Sequence, residues 1–294
     1  MTRTVSLAIA TFLLILCQSG ITVCGHDRAR MQSFAEVNGT RLYYEIVGQG
    51  PPVILIHGGL VDSRMWDDQM NDFSKQCQVV RYDLRGFGKS AGTSEPFSHI
   101  EDLRALLEFL KIERATIVGL SLGGIIAADF TLEYPEKVDR LVLVGSGLRG
   151  DKQPPTKEQK LAWEALTRGA EPFTEVTMQS GLYNGVHRDT VVYTRLRQML
   201  LDNFKAVSTF RPGLWKYPEP PTIERLGSIN APTLVVIGSR DGQSLKNIAY
   251  LLAKKIRRAR MVVINGASHH PPVEKPKQFN KIVLNFIGNA VKDR

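Results

Sequence analysis

Three cysteines in 294 residues leave no material for a disulfide framework. Cys17 and Cys24 fall within the first 25 residues, so a chain processed there keeps Cys77 alone and draws its stability from its core. A single cysteine also excludes a C-x-x-C metal site. Cys77 has no glycine turn beside it and reads as a buried thiol rather than a nucleophile. Internal repeats and low-complexity tracts are absent, which excludes solenoids and disordered arrays. Aromatic residues make up only 8% and are not interleaved with the basic cluster Lys254, Lys255, Arg257, Arg258 and Arg260. That cluster reads as a solvated helix face, and nucleic acid is not an expected partner.

The one long uncharged stretch near the start, Val5 to Leu16, is too short to span a bilayer. It follows the small basic head Met1-Thr2-Arg3-Thr4 and is broken by Gln18, Ser19 and Gly20, the plan of a signal peptide. Val23-Cys24-Gly25 offers the compact residues a signal peptidase reads. The expectation is therefore a signal peptide over residues 1–25, with cleavage after Gly25, or failing that after Ser19. Bulky Leu16 argues against lipid attachment at Cys17. The protein is expected to be exported, periplasmic or secreted, with no stable membrane anchor after processing; translation from Met31 would instead leave it cytoplasmic. The leader holds one base, Arg3, and no acid, so its loss takes the net charge from +9 to +8.

What is present is ordinary for a globular protein: 43% hydrophobic and 23% charged residues. Asn38-Gly39 lies between two alternating stretches, Ser33 to Val37 and Thr40 to Val47, and signals a hairpin. The run Val53 to Ile56 is continuously apolar, as a strand buried on both faces must be. Further strands are read at Gln78–Tyr82, Ala115–Val118, Arg140–Val144, Thr233–Ile237 and Met261–Ile264, with helical patterns between them. Strand–helix alternation of this kind predicts an α/β fold with a mostly parallel central sheet and helices on both faces. Residues 151–221 break the rhythm with helices alone, among them Lys157–Leu166 and Val192–Phe204. About seventy residues are too many for a connecting loop, so this segment is expected to be a helical cap on a core formed by residues 26–150 and 222–294. Its apolar side chains Trp163, Leu182, Tyr183 and Trp215 are the candidates for substrate contact, and Phe173 belongs to the same set. His99 and His187, in polar surroundings, are expected at the surface.

The chemistry begins at Gly119-Leu120-Ser121-Leu122-Gly123. A short strand precedes it and a helical pattern follows, which places a serine at the apex of a sharp turn. A serine hydroxyl attacks only when a base takes its proton and preset donors hold the oxyanion. Two later strands end in suitable partners. Gly238-Ser239-Arg240-Asp241 offers a carboxylate, and Asn265-Gly266-Ala267-Ser268-His269 an imidazole. Open α/β sheets collect ligands at the carboxyl ends of their strands, so Ser121, Asp241 and His269 can converge. In such a triad His269 is the base and Asp241 fixes its tautomer. The backbone N–H groups of Leu122 and Gly59 are the candidate oxyanion donors.

The chain order Ser…Asp…His resembles that of the α/β-hydrolase superfamily. His57-Gly58-Gly59 is similar to its oxyanion motif and Asp83 to Ser90 to its D-x-R-G-x-G-x-S loop. Gly119 to Gly124 resembles its nucleophile elbow. Gly238–Asp241 and Gly266–His269, continuing through Pro271, Glu274 and Pro276, resemble its acid and base segments. One departure stands out: Gly242-Gln243-Ser244 follows the acid where many relatives carry a proline. The resemblance implies a serine elbow, unlike the aspartate elbow of haloalkane dehalogenases and epoxide hydrolases. Gly-Leu-Ser-Leu-Gly-Gly looks most like small esterases, enol-lactone hydrolases and cofactor-free perhydrolases, and less like carbon–carbon bond hydrolases. His57, Asp83 and Arg85 are expected to brace loops.

The combined expectation is a serine hydrolase that opens a small ester or lactone through an acyl-enzyme, with no cofactor and no metal. The alternatives are a carbon–carbon bond hydrolase or perhydrolase on the same triad, and a slow-turnover ligand-sensing receptor of the same fold. A small molecule is the expected partner.

Overall fold

Buried apolar runs alternating with amphipathic stretches build one sheet between two layers of helices, seen in a computed structural model that describes residues 30–211 and 213–288. The expected leader over residues 1–25 lies outside the described residues. The chain opens with β1 (Met31–Val37), β2 (Thr40–Val47), β3 (Pro52–Ile56), α1 (Asp67–Phe73), β4 (Gln78–Tyr82) and α2 (His99–Phe109). It continues with β5 (Ala115–Leu120), α3 (Leu122–Glu133) and β6 (Val138–Val144). Four helices follow without an intervening strand: α4 (Lys157–Leu166), α5 (Ala170–Met178), α6 (Thr190–Asp202) and α7 (Phe204–Ser208). The remainder is α8 (Thr222–Arg225), β7 (Thr233–Gly238), α9 (Gln243–Lys255), β8 (Ala259–Ile264), α10 (Pro271–Glu274) and α11 (Pro276–Gly288).

The strands order as β1-β2-β4-β3-β5-β6-β7-β8. Pairing is antiparallel from β1 through β2 to β4 and parallel from there on. The chain leaves β3 toward β4 on one side and returns to β5 on the other, so the order reverses between β3 and β5. Crevices at such switch points are where this architecture binds ligands. Asn38 (φ 47°) and Gly39 (φ 68°) make the tight turn that a right-handed twisted hairpin requires.

The central strands are buried on both faces because successive residues point to opposite sides. Ile54, Ile56, Ile117, Leu141, Leu143, Val235 and Ile237 enter one core, shared with α2, α3 and α9. Val53, Leu55, Val118, Leu120, Val142, Val144, Leu234 and Val236 enter the other, shared with α1, α11 and part of α6. Cys77 is buried in this second core, and burial pushes its thiol pKa up, as expected of an inert thiol.

The two chain crossings that lead into and out of residues 151–221 lie side by side at α3. The Ile223 N–H donates to the Arg149 carbonyl at 3.1 Å. Asp129 on α3 accepts from Arg149 Nε at 2.7 Å and from the Thr222 hydroxyl. One buried carboxylate thus ties both chain crossings to the helix that begins after Ser121.

One expectation is overturned. His99 is not at the surface: it is 2% exposed, whereas His187 is exposed. Phe97 and Trp215 meet in a two-bond bridge, Phe97 N–H to Leu214 C=O and Lys216 N–H to Phe97 C=O. Their rings close on the His99 imidazole at 4.8 and 5.0 Å. The covering residue comes from more than a hundred positions downstream, so the local polarity around His99 was no guide. Both ring nitrogens are buried without a partner among the described residues. Burial, helped by His57 and Arg85 nearby, pushes the His99 pKa down to about 3 from 6.5.

A pH dependence follows. A folded-state pKa below the unfolded one means that the stabilisation is complete above the unfolded value. It is lost as pH falls from about 6.5 toward about 3, at roughly 1.4 kcal/mol per pH unit. His99→Phe keeps the ring packing and removes the titrating group. Its unfolding free energy should fall less steeply than wild type between pH 7 and pH 5 in denaturant titrations. Parallel slopes for the two proteins would refute the role given to His99.

Candidate active site

Ser121 sits at the carboxyl end of β5 with φ 54° and ψ −109°, a left-handed conformation rare for a residue with a side chain. Such geometry costs on the order of 1–3 kcal/mol and persists only when the surroundings enforce it. Here the Ser121 N–H donates to Val144 C=O at 3.0 Å. Its carbonyl accepts from Gly124 N–H at 3.0 Å and Ile125 N–H at 3.1 Å. The flanking glycines are needed for space. A Cβ on Gly119 would overlap the Gly123 carbonyl, and one on Gly123 would overlap the carbonyls of Ile56 and His57. The turn therefore presses α3 against the end of β3.

The loop after β3 comes beside this turn. A Cβ placed on Gly58 would meet Ser121 Cβ at 3.6 Å, and one on Gly59 would meet Leu122 Cδ2 at 3.3 Å. Leu122 is the first residue of α3, where backbone N–H groups have no acceptor within the helix. His57 sets the plane of the neighbouring peptide. Its Nε2 accepts from Leu84 N–H at 2.9 Å, so its proton resides on Nδ1, which donates to Gly58 C=O at 2.7 Å. In a trans peptide the C=O and the next N–H point opposite ways, so this bond turns the Gly59 N–H away from His57. Burial lowers the His57 pKa and keeps the ring in this neutral form. Asp83 holds the adjoining loop, accepting from Ser63 N–H and Lys89 N–H at 2.9 and 2.8 Å.

At the ends of β7 and β8 the structure brings Asp241 and His269 together. His269 Nδ1 and Asp241 Oδ2 are 3.1 Å apart, and both residues are buried. A Cβ on Gly145, after β6, would lie 3.0 Å from His269 Nδ1 and 3.3 Å from Asp241 Oδ2. Glycine at 145, with φ 46°, leaves room for the pair. The other carboxylate oxygen, Oδ1, accepts from Gly242 N–H at 2.8 Å. This contact was not anticipated, although the departure Gly242-Gln243-Ser244 lies at the same place.

The four candidate substrate contacts are dispersed. Leu182 and Tyr183 lie against the His269 loop, where the Leu182 carbonyl accepts from His269 N–H at 3.3 Å. The buried Tyr183 ring faces His270 at 4.9 Å. Trp163, by contrast, is 57% exposed on α4, a helix that buries only Ala165. Trp215 lines a cavity of about 560 Å³ with Arg85, Phe87, Phe97, Asn203 and Phe210, a lining without Ser121, Asp241 or His269. These two tryptophans are not brought to the Asp241–His269 pair. Amphipathic spacing identifies an apolar residue but not which neighbour it meets. No group of three or more residues suited to a metal occurs among the described residues.

Ser121 thus stands beside the Gly58-Gly59 loop and the start of α3, with a carboxylate–imidazole pair at the ends of β7 and β8. The family model for the alpha/beta hydrolase fold matches residues 51–276. The chain belongs to the α/β-hydrolase family. Among α/β-hydrolase relatives, a 2-hydroxy-6-oxononadienedioate/2-hydroxy-6-oxononatrienedioate hydrolase of Paraburkholderia phymatum is 30% identical over 90% of this chain and 98% of its own. A pimeloyl-[acyl-carrier protein] methyl ester esterase of Aeromonas hydrophila is 27% identical over 83% of this chain and 98% of its own. The enol-lactonase of Burkholderia xenovorans LB400 superposes with a TM-score of 0.76 at 27% identity, covering 87% of this chain and all of its own. As a member of this family the chain is a hydrolase; the Paraburkholderia relative is named for small dioate substrates and the Aeromonas one for a methyl ester on an acyl-carrier protein. Over the whole chain the dioate hydrolase and the esterase are similar to a comparable degree, 30% and 27%. Six residues around the elbow sample the shared chemistry and not the pocket. No helix among the described residues is long and apolar enough to cross a membrane.

Proposed function

We propose that this α/β-hydrolase opens a small ester or lactone through an acyl-enzyme on Ser121. The observation that carries the reading is the strained Ser121 backbone at the switch point, since strain maintained by several hydrogen bonds marks a functional turn. The Asp241 contact keeps a proton on His269 Nδ1 and leaves Nε2 free to accept one. Ser121 Oγ attacks the carbonyl carbon as its proton passes to His269 Nε2, and the carbonyl π pair moves onto oxygen. The Gly59 and Leu122 N–H groups hold that oxyanion. Collapse breaks the bond to the leaving oxygen, which takes the proton back from His269. Water then repeats the sequence on the acyl-enzyme and frees Ser121. Residues 151–221 would act as a cap, and the Leu182 carbonyl on the base loop supports that placement.

A second reading, cleavage of a carbon–carbon bond beside a ketone, is favoured by the 30% identical relative. Turnover of p-nitrophenyl esters of increasing chain length, simple lactones and a 2-hydroxy-6-oxo-dienoate separates the two. An ester or lactone is expected to show the highest kcat/KM, by at least about a hundredfold. The reverse order would replace the first reading with the second.

The His57 bond gives this reading a further test. His57→Phe retains the aromatic contact with Phe87, whose ring lies 5.4 Å away, but frees the Gly58 peptide. Loss of one aligned oxyanion donor lowers kcat by roughly a hundred- to a thousandfold, and KM should stay within a few-fold. An unchanged kcat in a folded variant would mean that the Gly59 N–H does not serve the oxyanion.

A further inference from the structure

Glu274 lies five residues after His269, and nothing in the mechanism above uses it. Its carboxylate gathers the whole base loop. Oε2 accepts from Ser268 N–H at 2.8 Å, and Oε1 accepts from His270 N–H at 2.9 Å and from the Ser268 hydroxyl at 2.8 Å. Pro271 and Pro272 follow and have no N–H, so the loop has no donors of its own beyond this point. The N–H between these two, that of His269, is held from the other side by the Leu182 carbonyl. The Ser268 hydroxyl, fully buried, also accepts from Gly185 N–H at 3.1 Å. Three consecutive N–H groups around His269 are thus divided between one carboxylate and one turn of the helical segment. Gly185 packs directly on that carboxylate, because a Cβ there would overlap Glu274 Oε2.

Resting on the triad reading above, we infer that Glu274 is a positioning residue for His269. Through Ser268 it fastens the base loop to the 182–185 turn, so that the base and the segment over it hold one relative position. A purely structural alternative exists: Glu274 closes the start of α10, whose first acceptor is the His270 carbonyl. The two differ in what the Gly185 side should do. If Glu274 only closes α10, a methyl at residue 185 acts on packing and its effect adds to that of Glu274 loss. If the two hold His269 jointly, either change releases the same loop and the second adds little.

The experiment compares wild type, Glu274→Ala, Gly185→Ala, the double variant and Glu274→Gln. It measures kcat and KM on the best ester, and the rate and final extent of Ser121 labelling by an organophosphorus probe. A displacement of about 1 Å in a reacting group costs on the order of a hundredfold. Each alanine variant should therefore lose roughly 30- to 100-fold in kcat with KM within about threefold. Labelling should slow in step with kcat and still reach about one probe per chain. The double variant should fall no more than about threefold below Glu274→Ala, against a product of the two losses for independent effects. Glu274→Gln keeps one acceptor oxygen and turns an amide N–H toward a backbone donor, so an intermediate loss is expected. It decides the matter if Glu274→Ala does not reach full labelling. Wild-type kcat in Glu274→Gln or Gly185→Ala, or multiplicative losses in the double variant, would overturn the inference and leave the triad reading intact. A wild-type chain that is not labelled at Ser121 would overturn both.

Discussion

Ser121→Ala should lose roughly four to six orders of magnitude of ester turnover while folding as wild type does. The loss is this large because the hydroxyl is the only group proposed to bond to substrate carbon; the remaining oxyanion donors and binding contacts supply residual rate only. The fold should survive because the Ser121 side chain makes no cap hydrogen bond to α3, and the strained turn is held by backbone groups that alanine retains. Thermal melts should therefore agree within a few degrees. The wild-type protein should be labelled at Ser121 by an organophosphorus ester, and the variant not at all. Labelling at another residue, or near-normal turnover by the variant, would remove Ser121 from the mechanism.

Much of the scaffold behind this prediction was legible in the chain. β2 and β4 run over the residues that their patterns named, Thr40–Val47 and Gln78–Tyr82, and α4 matches its amphipathic stretch Lys157–Leu166. These elements are set by local alternation of apolar residues, which sequence displays directly. β5 runs further than expected, through Gly119 to Leu120, because a glycine that reads as a turn serves here as a tightly packed strand residue. Contacts between residues 151–221 and the rest of the chain were invisible for a different reason. That Trp215 covers His99, or that the Leu182 carbonyl receives the His269 N–H, depends on where a distant helical segment docks. Gly242 falls between these cases: its departure from the family pattern was plain, but the carboxylate that its N–H meets required the folded loop.

The two adjacent histidines should separate sharply. His269→Ala should abolish nearly all turnover, by roughly four orders of magnitude or more, since no other ring among the described residues is bonded to Asp241. His270→Ala should cost about tenfold or less. Its ring stands at 86° to that of His269, 5.1 Å away, and is packed on Tyr183. Its Nδ1 is buried without a partner among the described residues, and burial pushes its pKa well below 6.5. A neutral, enclosed imidazole of this kind is a packing group, so its removal should appear mainly as lower thermal stability. Asp241→Asn tests the link between the pair. The Gly242 N–H requires an acceptor at Oδ1, so the asparagine oxygen will settle there and turn its NH₂ toward His269 Nδ1. Two donors cannot share that contact. The His269 proton must move to Nε2, and the ring then cannot take the Ser121 proton, a loss of roughly ten-thousandfold. Steady-state turnover of the three variants on one ester checks the whole series. An inactive His270→Ala beside an active His269→Ala would shift the base by one residue, and an Asp241→Asn variant within tenfold of wild type would show that Gly242 does not dictate the orientation of the amide.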